Sequence, residues 1–246
     1  MNLQTYLQAR LSLAAKQSTT RVMCAHCLQP DVGCYCPSIQ RFDPGMEFVI
    51  LIHPIEVRRR IATGRMSSLC LENSHMISGE DYSNNAQVNA LIADPDFHSV
   101  ILYPGADSKD LTPMTETEKA ELFPVGRKLR IFVIDGTWAT AKKMVRKSAN
   151  IKALPKICFS PAKPSNFRVR RQPNTHCFST IEAIHQSIEL LGSVSGFNTA
   201  SRCHDNLLQV FDKMVERQLD YVKDSYARSG KDPLSRERKR QGDCLA

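Results

Sequence analysis

The 246-residue sequence contains no apolar run approaching the roughly 20 residues needed to span a bilayer. Its first residues lack the basic, apolar and small-residue order of a secretory leader, so a cytoplasmic protein is expected. Acid is in short supply: 25 Asp and Glu stand against 33 Lys and Arg, a formal charge of +8. That balance favours an anionic partner such as nucleic acid. Tryptophan is scarcer still. The one residue, Trp138, draws attention to its surroundings.

Nine cysteines are present, and a reducing compartment excludes a disulfide framework for them. Cys70, Cys158, Cys177, Cys203 and Cys244 are scattered and read as reduced thiols. The other four form two close pairs, Cys24/Cys27 and Cys34/Cys36, separated by a turn-rich segment with Pro30 and Gly33. Two such knuckles offer four thiolates in a tetrahedron, the arrangement of a closed structural zinc site. Four thiolates leave no open position for catalysis. His26 reads as a neighbour rather than a ligand, and a redox role for Cys24 and Cys27 would require a strand feeding a helix.

The length suits one α/β domain of moderate size with a small appendage. The expected division is an N-terminal helix and four-cysteine zinc module over 1–42, a catalytic α/β domain over 43–228, and a basic tail over 229–246. Leu3, Leu7 and Leu11 place a short helix over 3–16. Glu47 to Ile52, Ser99 to Tyr103, Leu129 to Ile134 and Lys156 to Phe159 read as strands, the first and third apolar on both faces as in a covered parallel sheet. Capping boxes at Thr115 and Ser179 start helices, and Gly192 ends the second. A single long helix is expected over 199–228.

Each strand delivers polar groups at its carboxyl end, where open α/β sheets bind ligands. The first ends in His53-Pro-Ile-Glu56 followed by Arg58, Arg59 and Arg60, a run equally suited to a solvated face or to phosphate contacts. The second ends in Pro104-Gly105, a turn that admits close approach to a ligand. The third ends in Asp135-Gly136-Thr137-Trp138 and opens a basic amphipathic helix. An acid in that position is also a common cap or turn former. The loop over 160–178 carries Lys163, Phe167, Arg168, Arg170 and Arg171, a mixture suited to looped nucleic acid or to a solvated connector. Exposed amides at Ser179 and Thr180 suit a substrate carboxylate, although capping explains these residues equally well.

Taken together, the four cysteines, HPIEVRRRIATGR (53–65), LYPG (102–105), DGTW (135–138), RRQP (170–173) and STIEA (179–183) resemble the DTW-domain family over about residues 22 to 200. Ala62 departs from the Asn that this family often carries before Thr63-Gly64. The resemblance implies a tRNA-uridine aminocarboxypropyltransferase with a SPOUT-like, knotted Rossmannoid core. Such an enzyme moves the 3-amino-3-carboxypropyl group of S-adenosylmethionine to N3 of a tRNA uridine and releases methylthioadenosine. On that basis Asp135 is the catalytic candidate, as acceptor or orienter of the N3 proton. Tyr103, Pro104, Gly105, Asp135, Gly136, Thr137, Trp138, Ser179 and Thr180 are expected at the cofactor. His53, Glu56, Arg58, Thr63, Gly64, Arg168, Arg170 and Arg171 are expected at the RNA substrate. A SPOUT-type methyltransferase and a non-catalytic, zinc-bearing RNA-binding module are the alternative readings.

Overall fold

The computed structural model describes residues 22–169 and 177–229. The helix expected over 3–16, Arg170, Arg171 and the basic tail lie outside the described residues. Six strands form one sheet: β1 (Glu47–Ile52), β2 (Ser74–Ser78), β3 (Phe97–Leu102), β4 (Lys109–Asp110), β5 (Lys128–Asp135) and β6 (Lys156–Cys158). Their order is β2-β1-β5-β3-β6-β4, and every pairing is parallel.

The centre of the sheet follows from composition. Residues 48 to 52 of β1 and 129 to 133 of β5 are buried in unbroken runs, so both strands need a cover on each face. Alternation sorts their side chains. Phe48, Ile50, Leu129, Ile131 and Val133 face helices α2 (Thr63–Cys70), α7 (Thr180–Leu191) and α8 (Asn206–Ser229). Val49, Leu51 and Phe132 face α3 (Ala86–Ala93), α5 (Trp138–Lys147) and α6 (Ala149–Lys152). Two short helices, α1 (Pro54–Val57) and α4 (Glu116–Glu121), complete the set among the described residues.

Helix α5 shows why this segment folds as it does. Ala141, Met144 and Val145 are buried at helical spacing, while Lys142, Lys143, Arg146 and Lys147 are exposed. Thr137 caps it, its hydroxyl accepting from the Thr140 amide at 3.2 Å. Thr115 and Ser179 form the expected capping boxes, and Gly192 sits at the end of α7.

Three parts differ from expectation, the first being the two-residue edge strand β4, too short to carry a periodic pattern. Strand β2 is an additional edge strand whose sequence, SHMIS, is polar because only one of its residues is fully buried. The single helix over 199–228 is instead two 3₁₀ turns followed by α8, which starts at Asn206. Arg202 breaks the segment: it adopts a left-handed conformation, φ 56°, which an α-helix cannot contain. Asn206 then ties the Cys-rich segment to α8, accepting from the Gln40 amide at 2.8 Å and donating to the Ser38 carbonyl at 2.9 Å.

Candidate active site and metal centre

The connections leaving β1 and β5 run in opposite directions: β1 leads outward to β2, and β5 leads across β3 to β6. These neighbouring strands therefore bracket the topological switch point of the sheet, where a crevice opens at the carboxyl ends. Ile52 lies opposite Asp135 in the register, and the His53 amide donates to the Asp135 carbonyl at 2.9 Å.

Asp135 is only 5% exposed, and its side chain points toward α2 and α7. Thr180, the first residue of α7, donates its hydroxyl to Asp135 Oδ1 at 2.6 Å. The amide of Gly64, in the first turn of α2, donates to Oδ2 at 3.2 Å. The carboxylate thus lies between two helix N-termini, each carrying partial positive charge. Gly64 is required by this approach: a Cβ there would stand 2.4 Å from Asp135 Oδ2 and 2.9 Å from Ile50 Cγ2. Gly136 is similarly confined, with Thr140 Oγ1 2.6 Å from an added Cβ. Trp138 opens α5 on the other face and is 42% exposed.

The remaining predicted residues fall into distinct settings. His53 is buried and caps α1, its Nδ1 accepting from the Ile55 amide at 3.2 Å while Nε2 faces Glu80 at 3.4 Å. Glu80 also binds Lys143 and Lys147, and the Lys143 hydrogen bond leads the set of contacts that pulls its carboxyl below the usual range. Glu56 is buried beside the Arg59 guanidinium at 3.5 Å, and Thr63 is buried at the start of α2. Arg58, Arg59 and Arg60 are exposed, but Arg65 turns inward and donates to the carbonyls of Val57 and Arg59. Tyr103 is half-buried ahead of the exposed Pro104-Gly105 turn, next to β5 in the sheet.

Sequence reasoning gave Ser179 and Glu182 a capping box but missed a second task. Glu182 accepts from the Ser179 amide and hydroxyl at 2.8 and 2.6 Å, and also from Ser165 Oγ and the Asn166 amide, both at 2.7 Å. The capping groups at Ser179 are therefore already engaged. Phe167 packs under the same loop against Phe211, so Arg168 projects from a pinned segment between buried Phe167 and Val169. No local spacing signals this anchor, because Ser165 and Glu182 are 17 residues apart.

Cys24, Cys27, Cys34 and Cys36 converge with all four sulfurs within 4.8 Å of one another. Cys24 and Cys36 are 3.7 Å apart, and Cys27 and Cys34 3.6 Å. Zinc bonds of about 2.3 Å place tetrahedral sulfurs roughly 3.8 Å apart, so the donor set fits that ion. The Cys27 and His26 amides pull the Cys24 thiol down to about 6, whereas burial pushes Cys34 and Cys36 up. A bound cation would compensate four clustered thiolates. A second cluster, His185, Glu189, His204 and Asp205, already contains its own cation: Arg202 reaches Glu189 at 2.6 Å and Asp205 at 2.7 Å.

Comparison with known proteins places this geometry. The chain is 27% identical over 190 residues to tRNA-uridine aminocarboxypropyltransferase 2 of Drosophila melanogaster, covering 74% of this chain and 72% of that one. Identity to the Mus musculus protein of the same name is 25% over 183 residues, 73% of this chain and 59% of the relative. Against tRNA-uridine aminocarboxypropyltransferase A of Arabidopsis thaliana it is 24% over 227 residues, covering 82% and 83%. No solved structure matches. The model of the DTW domain matches residues 21–219, which include both the cysteine cluster and the strand-end crevice, and the chain belongs to the DTW domain family.

Proposed function

We propose that this chain is a tRNA-uridine aminocarboxypropyltransferase that forms 3-(3-amino-3-carboxypropyl)uridine in tRNA. The observation that carries the reading is the fixed Asp135 carboxylate at the switch point of a DTW-family sheet, with Trp138 exposed beside it. S-adenosylmethionine would supply the transferred group, its sulfur–Cγ bond breaking as the bond to uridine N3 forms and methylthioadenosine leaves. Half-buried Tyr103 and the Gly105 and Gly136 turns suit an adenosine and a sulfonium cation, which aromatic faces attract.

Within that reading, Asp135 accepts or orients the N3 proton as the new bond forms. Gly64 and Thr180 hold its orientation, which keeps the base aligned with a bound uridine. Arg58 and Arg168 contact RNA phosphates as exposed cations. Cys24, Cys27, Cys34 and Cys36 hold one structural zinc, which packs the N-terminal segment onto α8. The reading extends to a knotted core at the strand ends and to a cytoplasmic site of action; among the described residues no helix is long and apolar enough to cross a membrane.

Incubating the protein with S-adenosylmethionine and undermodified tRNA, then digesting the RNA for nucleoside mass spectrometry, tests this reading. The aminocarboxypropyl adduct of uridine is expected. A methyl adduct would assign a methyltransferase instead, and an absence of product with retained tRNA binding would leave an RNA-binding module.

A further inference from the structure

Helix α5 carries four cations, and they are not equivalent. Lys143 and Lys147 are held by Glu80 at 3.3 and 3.4 Å, on the side of the helix that faces His53. Lys142 and Arg146 occupy the adjacent row and make no ion pair or hydrogen bond among the described residues. Like charges four residues apart on a helix repel, so this pair opposes the helix that presents it. The same row begins at Trp138, four residues before Lys142. At about 1.5 Å of rise per residue, Trp138, Lys142 and Arg146 stand in steps of roughly 6 Å. That interval is close to the spacing of successive nucleotides along an RNA strand.

We infer that this row is a single-stranded RNA track: Lys142 and Arg146 take two successive phosphates, and Trp138 stacks on a base at the mouth of the crevice. The inference rests on the tRNA reading above and specifies its surface. An exposed aromatic followed by unpaired cations is the combination that unpaired nucleotides recognise, because every base has a π-face and every linkage a charge. The track starts three residues after Asp135, at the carboxyl end of β5, on the face of the sheet opposite the carboxylate. Glu80 distinguishes the two rows by engaging both cations of the next one, Lys143 and Lys147.

The test is tRNA affinity, measured by fluorescence anisotropy over a series of salt concentrations with the full-length protein. Replacing Lys142 and Arg146 together with Ala is expected to weaken binding at least tenfold at low salt. The log–log salt slope should fall by about 0.7–0.9 for each phosphate released. Trp138→Ala should weaken binding with little change in slope, and Trp138→Phe should restore much of it. Lys128→Ala combined with Lys152→Ala removes the same charge at the amino end of the sheet and should leave the slope unchanged. Equal slopes for the two double variants would overturn the track while leaving the tRNA reading intact. Wild-type protein that fails to bind tRNA at low salt would overturn both. Each single substitution should give half the slope change, so the comparison survives if a double variant folds poorly.

Discussion

Gly64→Ala tests the site more sharply than any substitution of a charged residue. The added methyl would lie 2.4 Å from Asp135 Oδ2, 2.8 Å from its Cγ and 2.9 Å from Ile50 Cγ2, so the carboxylate or the helix must move. Overpacking of this kind costs about 1–3 kcal/mol. Displacing Asp135 also weakens a charge-assisted hydrogen bond worth about 1.5–3 kcal/mol. Against this, Ala gains up to about 1 kcal/mol over Gly in a helix. The net expectation is a loss of roughly 2–4 kcal/mol, or about 5–15 °C in Tm for a chain of this size. Thermal unfolding measures it, with Gly33→Ala as a control whose new methyl meets nothing closer than 3.6 Å. Combining Gly64→Ala with Asp135→Ala removes the nearest clashing atoms, so the two effects should be non-additive by about 1 kcal/mol or more. An unchanged Tm, or strict additivity, would refute the close approach.

Four further outcomes are expected. Cys36→Ser should abolish zinc content and destabilise the N-terminal segment; elemental analysis showing full metal occupancy in that variant would exclude Cys36 as a ligand. Asp135→Asn can keep its carbonyl on the Gly64 amide and turn its amide toward Thr180, so Tm and tRNA affinity should change little while single-turnover rate falls roughly 10²- to 10⁴-fold. A near-normal rate at saturating S-adenosylmethionine would remove the carboxylate from the chemistry. Glu182→Gln leaves a buried amide where four donors expect oxygen, so it should loosen the Arg168 loop and raise limited proteolysis near residue 166; wild-type protease resistance would count against the anchor. His185 is held below its ordinary 6.5 by burial, which outweighs the nearby Asp205 carboxylate. The unfolded chain therefore takes the proton first, and stability present above 6.5 is lost as pH falls toward the lower folded value. His185→Gln should flatten that loss as pH falls below about 6.5, and an identical profile would place the titration elsewhere.

Much of this architecture was legible because it is written in local patterns. Strands β1 and β5 announce themselves as unbroken apolar runs, and Thr115, Thr137 and Ser179 mark helix starts through hydroxyls at the required spacing. The cysteine pairs likewise declare a metal geometry by proximity in the chain. Strand β2 was not legible, since an edge strand can stay polar. Nor was the start of α8, because the break depends on Arg202 adopting a left-handed conformation that its residue type does not signal. His53 illustrates a different gap. Its position at a strand end was legible, whereas its burial, its cap on α1 and its second nitrogen facing Glu80 were not. The partners of Asp135 are 71 residues upstream and 45 downstream, and no spacing in the sequence encodes which helices will meet there.

On the proposed reading, the two faces of the sheet divide the site into separable functions. Asp135 is directed toward α2 and α7 by strand alternation, yet the chain that follows it crosses to the opposite face as α5. Gly136 is where that crossing occurs, under a Thr140 hydroxyl that leaves no room for a side chain. The carboxylate is therefore fixed by Gly64 and Thr180 from one face, and the exposed row of α5 is displayed on the other. Changes beneath α2 and α7 should act on turnover through the angle of Asp135, whereas changes along α5 should act on affinity. A substitution that altered both equally would have to act at the one element the two faces share, the Asp135-Gly136-Thr137 turn.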